Sequence, residues 1–284
     1  MSTAQTPAGL QLPLRNLHLA PEQDAKHHWF GGDPVGTAVM NALSLTFPDG
    51  EKLFIDAVRH FRGAAEGELV EQIRGFILQE AVHAREHETL NRWIDRKRYP
   101  AADDIAALTR QRTNQAREHG PMTMLLATIA LEHFTAIMAD QLMNDDRLTG
   151  RAPADIARLW RWHAVEETEH KAVAFDVYQA VTRNWSAWRR YRVRCLTMLL
   201  VSIRFTRHIT DYACLLLEAD GYSRRAALSA VRGHLWGNPG LFRRGWRTWL
   251  AWFKPGFHPW SIATPPAFAA WKAEFDALAA ETKP

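Results

Sequence analysis

Two glutamate–histidine pairs in this chain have the spacing needed for metal chemistry. Glu80-Ala-Val-His83 lies in FILQEAVHAREHETL, and Glu167-Thr-Glu-His170 lies in WRWHAVEETEHKAVAF. On a helix, residues three apart point to the same side. A carboxylate and an imidazole placed so, twice over, can hold two metal ions if two further helices each add a glutamate. Candidates stand in the right order, with Glu51 ahead of the first pair and Glu132 between the pairs. Four carboxylates balance two divalent ions, and without metal they would repel one another in a low-dielectric core. Carboxylate oxygen with imidazole nitrogen and no thiolate suits iron and manganese. The expected cofactor is two iron ions, with manganese or a mixed Mn/Fe pair accepting the same donors.

The surroundings sharpen the residue set. Glu132 is embedded in LLATIALEHFTAIM, and Glu80 follows Phe76-Ile77-Leu78. Glu51 reads as lying near a helix start, where an acid also complements the helix dipole. His163, Glu167 and His170 fall at i, i+4 and i+7 on one helix face, so His163 is expected as a seventh ligand. Glu132 and His163 are expected to serve the chemistry as well as the metals. His87, four residues after His83, competes for the third imidazole place, although its setting in AREHETLN reads as surface. Glu86, Glu88, Glu166 and Glu169 read as a solvated face. His258 reads as structural, being far in sequence from the four helices.

The elements that must position these residues are helical. Almost no stretch alternates with period two, so the fold class is all-α. Residues 1–33 read as an N-terminal extended segment, with residues 1–30 extended or loosely docked. A helix begins after Asp33-Pro34 and is expected to break at Pro48-Asp49-Gly50, with EKLFIDAVRHF continuing beyond. Leu69 to about Ile94, the stretch opened by Pro121, and Ala154–Val181 read as further long helices. Residues 34–182 thus form the metal-binding bundle, and residues 183–284 a helical extension packed on it.

The bulk composition is ordinary: 284 residues, 47% apolar, 23% charged, net charge +4. The charge is unevenly spread, with fourteen Lys/Arg against three Asp/Glu between residues 183 and 254. Cys195 and Cys214 offer neither a disulfide framework nor zinc spacing, which suits a reducing cytoplasm. The opening MSTAQTPAGLQLPL has no secretory pattern. No uninterrupted apolar run reaches spanning length, since Arg204, Arg207 and Asp211 interrupt the chain beyond the apolar run Cys195–Ile203. The aromatic and basic residues after Trp185 pack on the bundle with their arginines outward, or rest on an anionic membrane. The expected location is the cytoplasm, with peripheral contact at the inner membrane face. No nucleic-acid reading motif accompanies the charge.

The order Glu51, Glu80-x-x-His83, Glu132, His163-x-x-x-Glu167-x-x-His170 resembles the ligand set of di-iron N-oxygenases, which convert arylamines to nitro compounds. Over about residues 25–262 the chain is similar to a bacterial family described as predicted metal-dependent hydrolases. Phe47-Pro-Asp-Gly-Glu51, Gln79-Glu-Ala-Val-His83, Glu166-Glu-x-Glu-His170 and Gly256-Phe-His-Pro-Trp260 carry that similarity. The resemblance implies a ferritin-like four-helix bundle. A helix-borne Glu/His site suits O2 activation, so an oxidase or oxygenase acting on a small hydrophobic molecule is the leading expectation. Metal-dependent hydrolysis is the alternative, and a non-catalytic iron-binding protein the third. The oxidative reading needs O2 and an external electron donor, since no flavin or nicotinamide fingerprint is visible. A homodimer is compatible with the sequence.

Overall fold

The computed structural model describes residues 4–19 and 27–281. Among them there are helices and turns and no strand. The helices are α1 (Pro34–His60), α2 (Glu68–Arg92), α3 (Ala101–Glu118), α4 (Pro121–Asn144), α5 (Ala154–His170), α6 (Val173–Val181), α7 (Ala187–Ala219), α8 (Arg224–Arg232), α9 (Leu241–Arg244), α10 (Trp246–Ala251) and α11 (Phe268–Glu281). α1 packs on α2, α3, α4 and α7, and α4 packs on α5.

α1 starts as expected: Asp33 caps it by accepting from the Val35 amide at 2.9 Å, with Pro34 in the first turn. The expected break at Pro48 does not occur, and the helix runs through it. Proline has no N–H, so the carbonyl four residues earlier loses its helical donor. That carbonyl belongs to Ser44, and the Asn91 side-chain amide of α2 donates to it at 2.9 Å. The substitute bond removes the reason to break. Glu51 is therefore mid-helix and buried, not near a helix start.

A second boundary also departs from expectation. Ala154–Val181 is two helices, because α5 ends at His170 and the chain turns through Lys171 and Ala172 before α6. A late segment braces the turn. Lys171 Nζ donates to the Ile262 carbonyl at 3.2 Å and lies 4.3 Å from the Trp260 ring centroid. Beside it, His258 Nε2 bonds Asp176 Oδ1 at 2.9 Å.

The described part of the N-terminal segment is not loosely docked. Leu17, Leu19, Trp29 and Phe30 are buried in the main core, and Arg15 is also buried. That core joins α1 to α7, with Val39 and Leu43 in one cluster with Ile209, Tyr212 and Leu216. α4 is long and apolar enough to cross a membrane by length and composition, yet most of the qualifying stretch is buried in the protein. On the outer face of α7, Trp188, Leu196, Leu199, Leu200 and Ile203 are exposed, as are Trp246 and Leu250 on α10. Trp252 is fully buried.

Candidate metal centre

The four helices expected to carry ligands bring them together. Glu51 comes from α1, Glu80 and His83 from α2, Glu132 from α4, and His163, Glu167 and His170 from α5. All seven are buried. Ligand atoms of Glu80, His83, Glu167 and His170 lie within 4.8 Å of one another, and so do those of Glu51, His83 and His163. The two groups share His83, which fits two adjacent metal positions. Glu132 stands outside both groups and joins them through His170, whose Nδ1 is 3.2 Å from its Oε2.

Hydrogen bonding does not account for this cluster. Both oxygens of Glu51 and Glu80, His83 Nδ1, Glu132 Oε1, Glu167 Oε2 and His170 Nε2 are buried with no hydrogen-bond partner. Native proteins leave very few such groups, because each costs free energy. Convergent donors of metal-binding type that no protein group satisfies have the character of cation ligands.

The tautomers point the same way. Ser44 Oγ donates to Asn91 Oδ1 at 2.7 Å, because the Asn91 amide nitrogen is already committed to the Ser44 carbonyl. Ser44 Oγ is then free to accept from His87 Nδ1, 2.9 Å away. His87 Nε2 is left as an acceptor and takes the proton of His163 Nδ1 at 2.7 Å. Burial, aided by His83, pulls the pKa of His163 down to about 4, so the ring is neutral at pH 7. Its Nε2 therefore carries a lone pair, 2.9 Å from Glu167 Oε1 and 3.8 Å from Glu51 Oε1. Two acceptors facing at that distance suit a cation between them. His83 is oriented in a similar way but keeps its proton: burial opposes charging, and Glu166 and Glu80 outweigh it and hold its pKa well above the usual value. Its Nε2 bonds Glu166 Oε2 at 3.0 Å, which leaves Nδ1 facing Glu80 and Glu167, each at 3.8 Å. An imidazole ligand oriented by a carboxylate on its other nitrogen is a common metal-site device.

Electrostatics shows the strain of the cluster. Burial pushes Glu132 up to about 8, with Glu167 adding to the rise. Burial and then Glu80 hold Glu51 well above the usual carboxylate range. Burial opposes charging of His170, but Glu167 and Glu132 outweigh it and raise its pKa to about 9. Burial likewise opposes ionisation of Glu167, yet the charge of His170 draws it down to about 2. Protons thus stand in for metal charge.

Several readings from sequence need correction. Glu166 and Glu169 are not on a solvated face but are buried. Arg15 Nη1 binds Glu166 at 3.0 Å, and Arg15 Nη2 binds Glu169 at 2.7 Å. Trp162 Nε1 donates to Glu166 at 3.1 Å, and Gln79 Nε2 to Glu169 at 3.1 Å. Glu86 is also buried, accepting from the Leu19 amide at 2.7 Å. Glu88 does lie at the surface, paired with Lys52. His87 is neither surface nor part of the close ligand groups, because it stands behind His163. Arg15, Ser44 and Asn91 are the supporting residues that sequence reasoning missed. No local signal marks them, since each partner lies on a distant element.

A cavity of about 230 Å³ between α1, α3, α4 and α7 reaches the centre, with Glu51 and Glu167 in its lining. A family model described as predicted metal-dependent hydrolase matches residues 13–263. The chain belongs to this family. The family match starts just before Arg15 and ends just after Ile262, so it takes in the outer supports as well as the cluster. No curated protein and no solved structure matches the chain. The family description and the buried cluster agree on a metal-dependent protein, and the cluster could hold two metals.

Proposed function

We propose that the chain is a two-metal hydrolase acting on a small apolar molecule, with Glu51, Glu80, His83, Glu132, His163, Glu167 and His170 as the metal-binding set. The observation that carries this reading is the group of unpartnered carboxylate and imidazole atoms beside a cavity that reaches them. Two such ions would supply a Lewis acid and a water acidified to near neutrality. The chain's own residues do the rest. Glu166 and His87 fix which nitrogens of His83 and His163 face inward. The apolar cavity wall excludes bulk water and holds the substrate body. Glu132 Oε2, 3.2 Å from His170 Nδ1, orients that imidazole toward the cluster.

A second reading, O2-dependent oxidation of an apolar substrate, is favoured by the donor set itself. Four carboxylates and three imidazoles on helices, read as a ferritin-like bundle, suit iron, manganese or a mixed pair. This reading requires an external electron donor. Metal analysis and then two assays separate the readings. Chelator-sensitive turnover of apolar esters or amides, lost in Glu80→Gln, supports hydrolysis. O2 uptake by the reduced iron form without hydrolysis transfers the assignment to oxidation. Protein without metal after loading sinks both.

The exposed apolar row on α7, set among arginines, supports peripheral contact with an anionic membrane and a location at the inner membrane face. Co-flotation with anionic vesicles at low salt is the expected result. Protein that stays in the soluble fraction removes the idea.

A further inference from the structure

The cavity beside the centre carries positive charge that metal binding does not explain. Its walls are largely apolar, with Leu53 and Phe54 from α1, Leu131 from α4 and Phe205 from α7. Arg112 of α3 and Arg204 and His208 of α7 also line it. Exposure orders the lining. Arg204 is exposed, Arg112 and His208 are half-buried, and Glu51 and Glu167 are buried at the inner end.

Neither arginine has a carboxylate partner among the described residues. Arg112 donates to the Tyr212 hydroxyl and stands 5.3 Å from the centroid of that ring. Asp211, the acid closest in sequence to His208 and Tyr212, is engaged by Arg224 at 2.7 Å and by Arg207 at 3.6 Å. Burial holds the Arg112 pKa below its usual value, the sign of a cation short of counter-charge. Burial, with Arg112 adding to it, draws His208 down to about 4, so at pH 7 it is a neutral ring able to donate one hydrogen bond. A half-buried guanidinium without an acid is costly, and its planar fork matches a carboxylate.

Gly50 leaves open space in the cavity lining. It lines the space next to Glu51, and a Cβ built there would meet no atom within 4 Å. Glycine inside a helix is unfavourable, and here its missing side chain leaves the passage open.

We propose that this cavity binds an apolar acid, a largely hydrocarbon body with one carboxylate and with an ester or amide at the end remote from it, seated with the carboxylate on Arg112 and the body against Phe205 and Phe54, the scissile end toward Glu51 and Glu167. The proposal rests on the Glu/His cluster being the reactive centre, and it names the substrate class of that centre. Arg204 at the rim attracts the anion, and the cluster at the inner end faces the scissile ester or amide.

Calorimetric titration with decanoate, decanol and decylamine tests this, using metal-loaded protein and protein stripped by chelator, with metal content measured for every variant. Decanoate should bind both forms, and more tightly than the alcohol or the amine. Arg112→Gln should weaken decanoate about ten- to a hundredfold without changing metal content. Gly50→Leu should weaken decanoate more than butanoate, because it shortens the passage and leaves the acid seat intact. Equal binding of decanol and decanoate overturns the proposal, as does an unaffected Arg112→Gln or Gly50→Leu. Decanoate that binds only metal-loaded protein, unaffected by Arg112→Gln, sits on the ions and also overturns it. Failure of the hydrolase reading would show instead as absent turnover with acid binding preserved.

Discussion

Helix α5 contributes to two sets of buried carboxylates, and the protein treats them in opposite ways. Glu166 and Glu169 face Arg15, Trp162 and Gln79 and are held by direct bonds from all three. Glu167, between them in sequence, turns to the other side among Glu51, Glu80 and Glu132, where most oxygens find no donor. Burial is similar in the two places, but only the first has a permanent cation, Arg15, built against it. The second is built to receive it. A buried carboxylate is therefore informative through its partner, and a missing partner is the stronger sign of function.

The largest effect should come from breaking the satisfied set. Arg15→Ala leaves Glu166 and Glu169 buried without a cation and should lower stability by about 3–5 kcal/mol. Chemical denaturation of metal-free protein measures it, and a loss below about 1 kcal/mol would mean that Arg15 is not the counter-charge.

Neutralising one acid in each set should give opposite signs. In metal-free protein at pH 7, Glu169→Gln should cost about 1–3 kcal/mol through lost bonds. Glu51→Gln should stabilise by about 1–3 kcal/mol, because folding no longer has to protonate an acid whose pKa burial and Glu80 hold well above normal. The same substitution should weaken metal binding. Equal signs in the two metal-free variants would erase the distinction between the sets.

The smallest effect is the pH dependence. Glu132 is raised from 4.5 to about 8 and His170 from 6.5 to about 9, so folded metal-free protein holds more protons than the unfolded chain. Stability is then lost as pH rises, with both groups contributing between pH 6.5 and 8. His163, lowered to about 4, has the opposite slope but acts only below pH 6.5. Thermal melts with chelator should fall across pH 6.5–8, while metal-loaded protein should resist the fall because its ligands have already lost their protons. Parallel curves would mean that metal does not replace those protons.

The ligand-bearing helices were legible because helical spacing is a local property. Glu80 with His83, and His163 with Glu167 and His170, come from three- and four-residue steps alone. The misread residues depended on distant partners. Arg15 lies 151 residues from Glu166, and nothing in the Glu166-Glu-Thr-Glu169 run says which acids meet a cation. Asn91 rescues a carbonyl 47 residues away, so Pro48 looked like a terminus. The turn after His170 carries neither proline nor glycine and is braced from Trp260 and Ile262.

Pro48 has a consequence beyond the shape of α1. A helix with every amide hydrogen in place would already satisfy the Ser44 carbonyl, and the Asn91 side chain could face either way round. One absent hydrogen gives the row of polar groups a direction. The Asn91 nitrogen must point to the Ser44 carbonyl, the hydroxyl must give its proton to the Asn91 oxygen, and each imidazole in turn must pass its proton outward. The row ends at His163 Nε2 with a bare lone pair. The hydrogen that proline withholds from the backbone thus decides, four groups away, which face of an imidazole is basic.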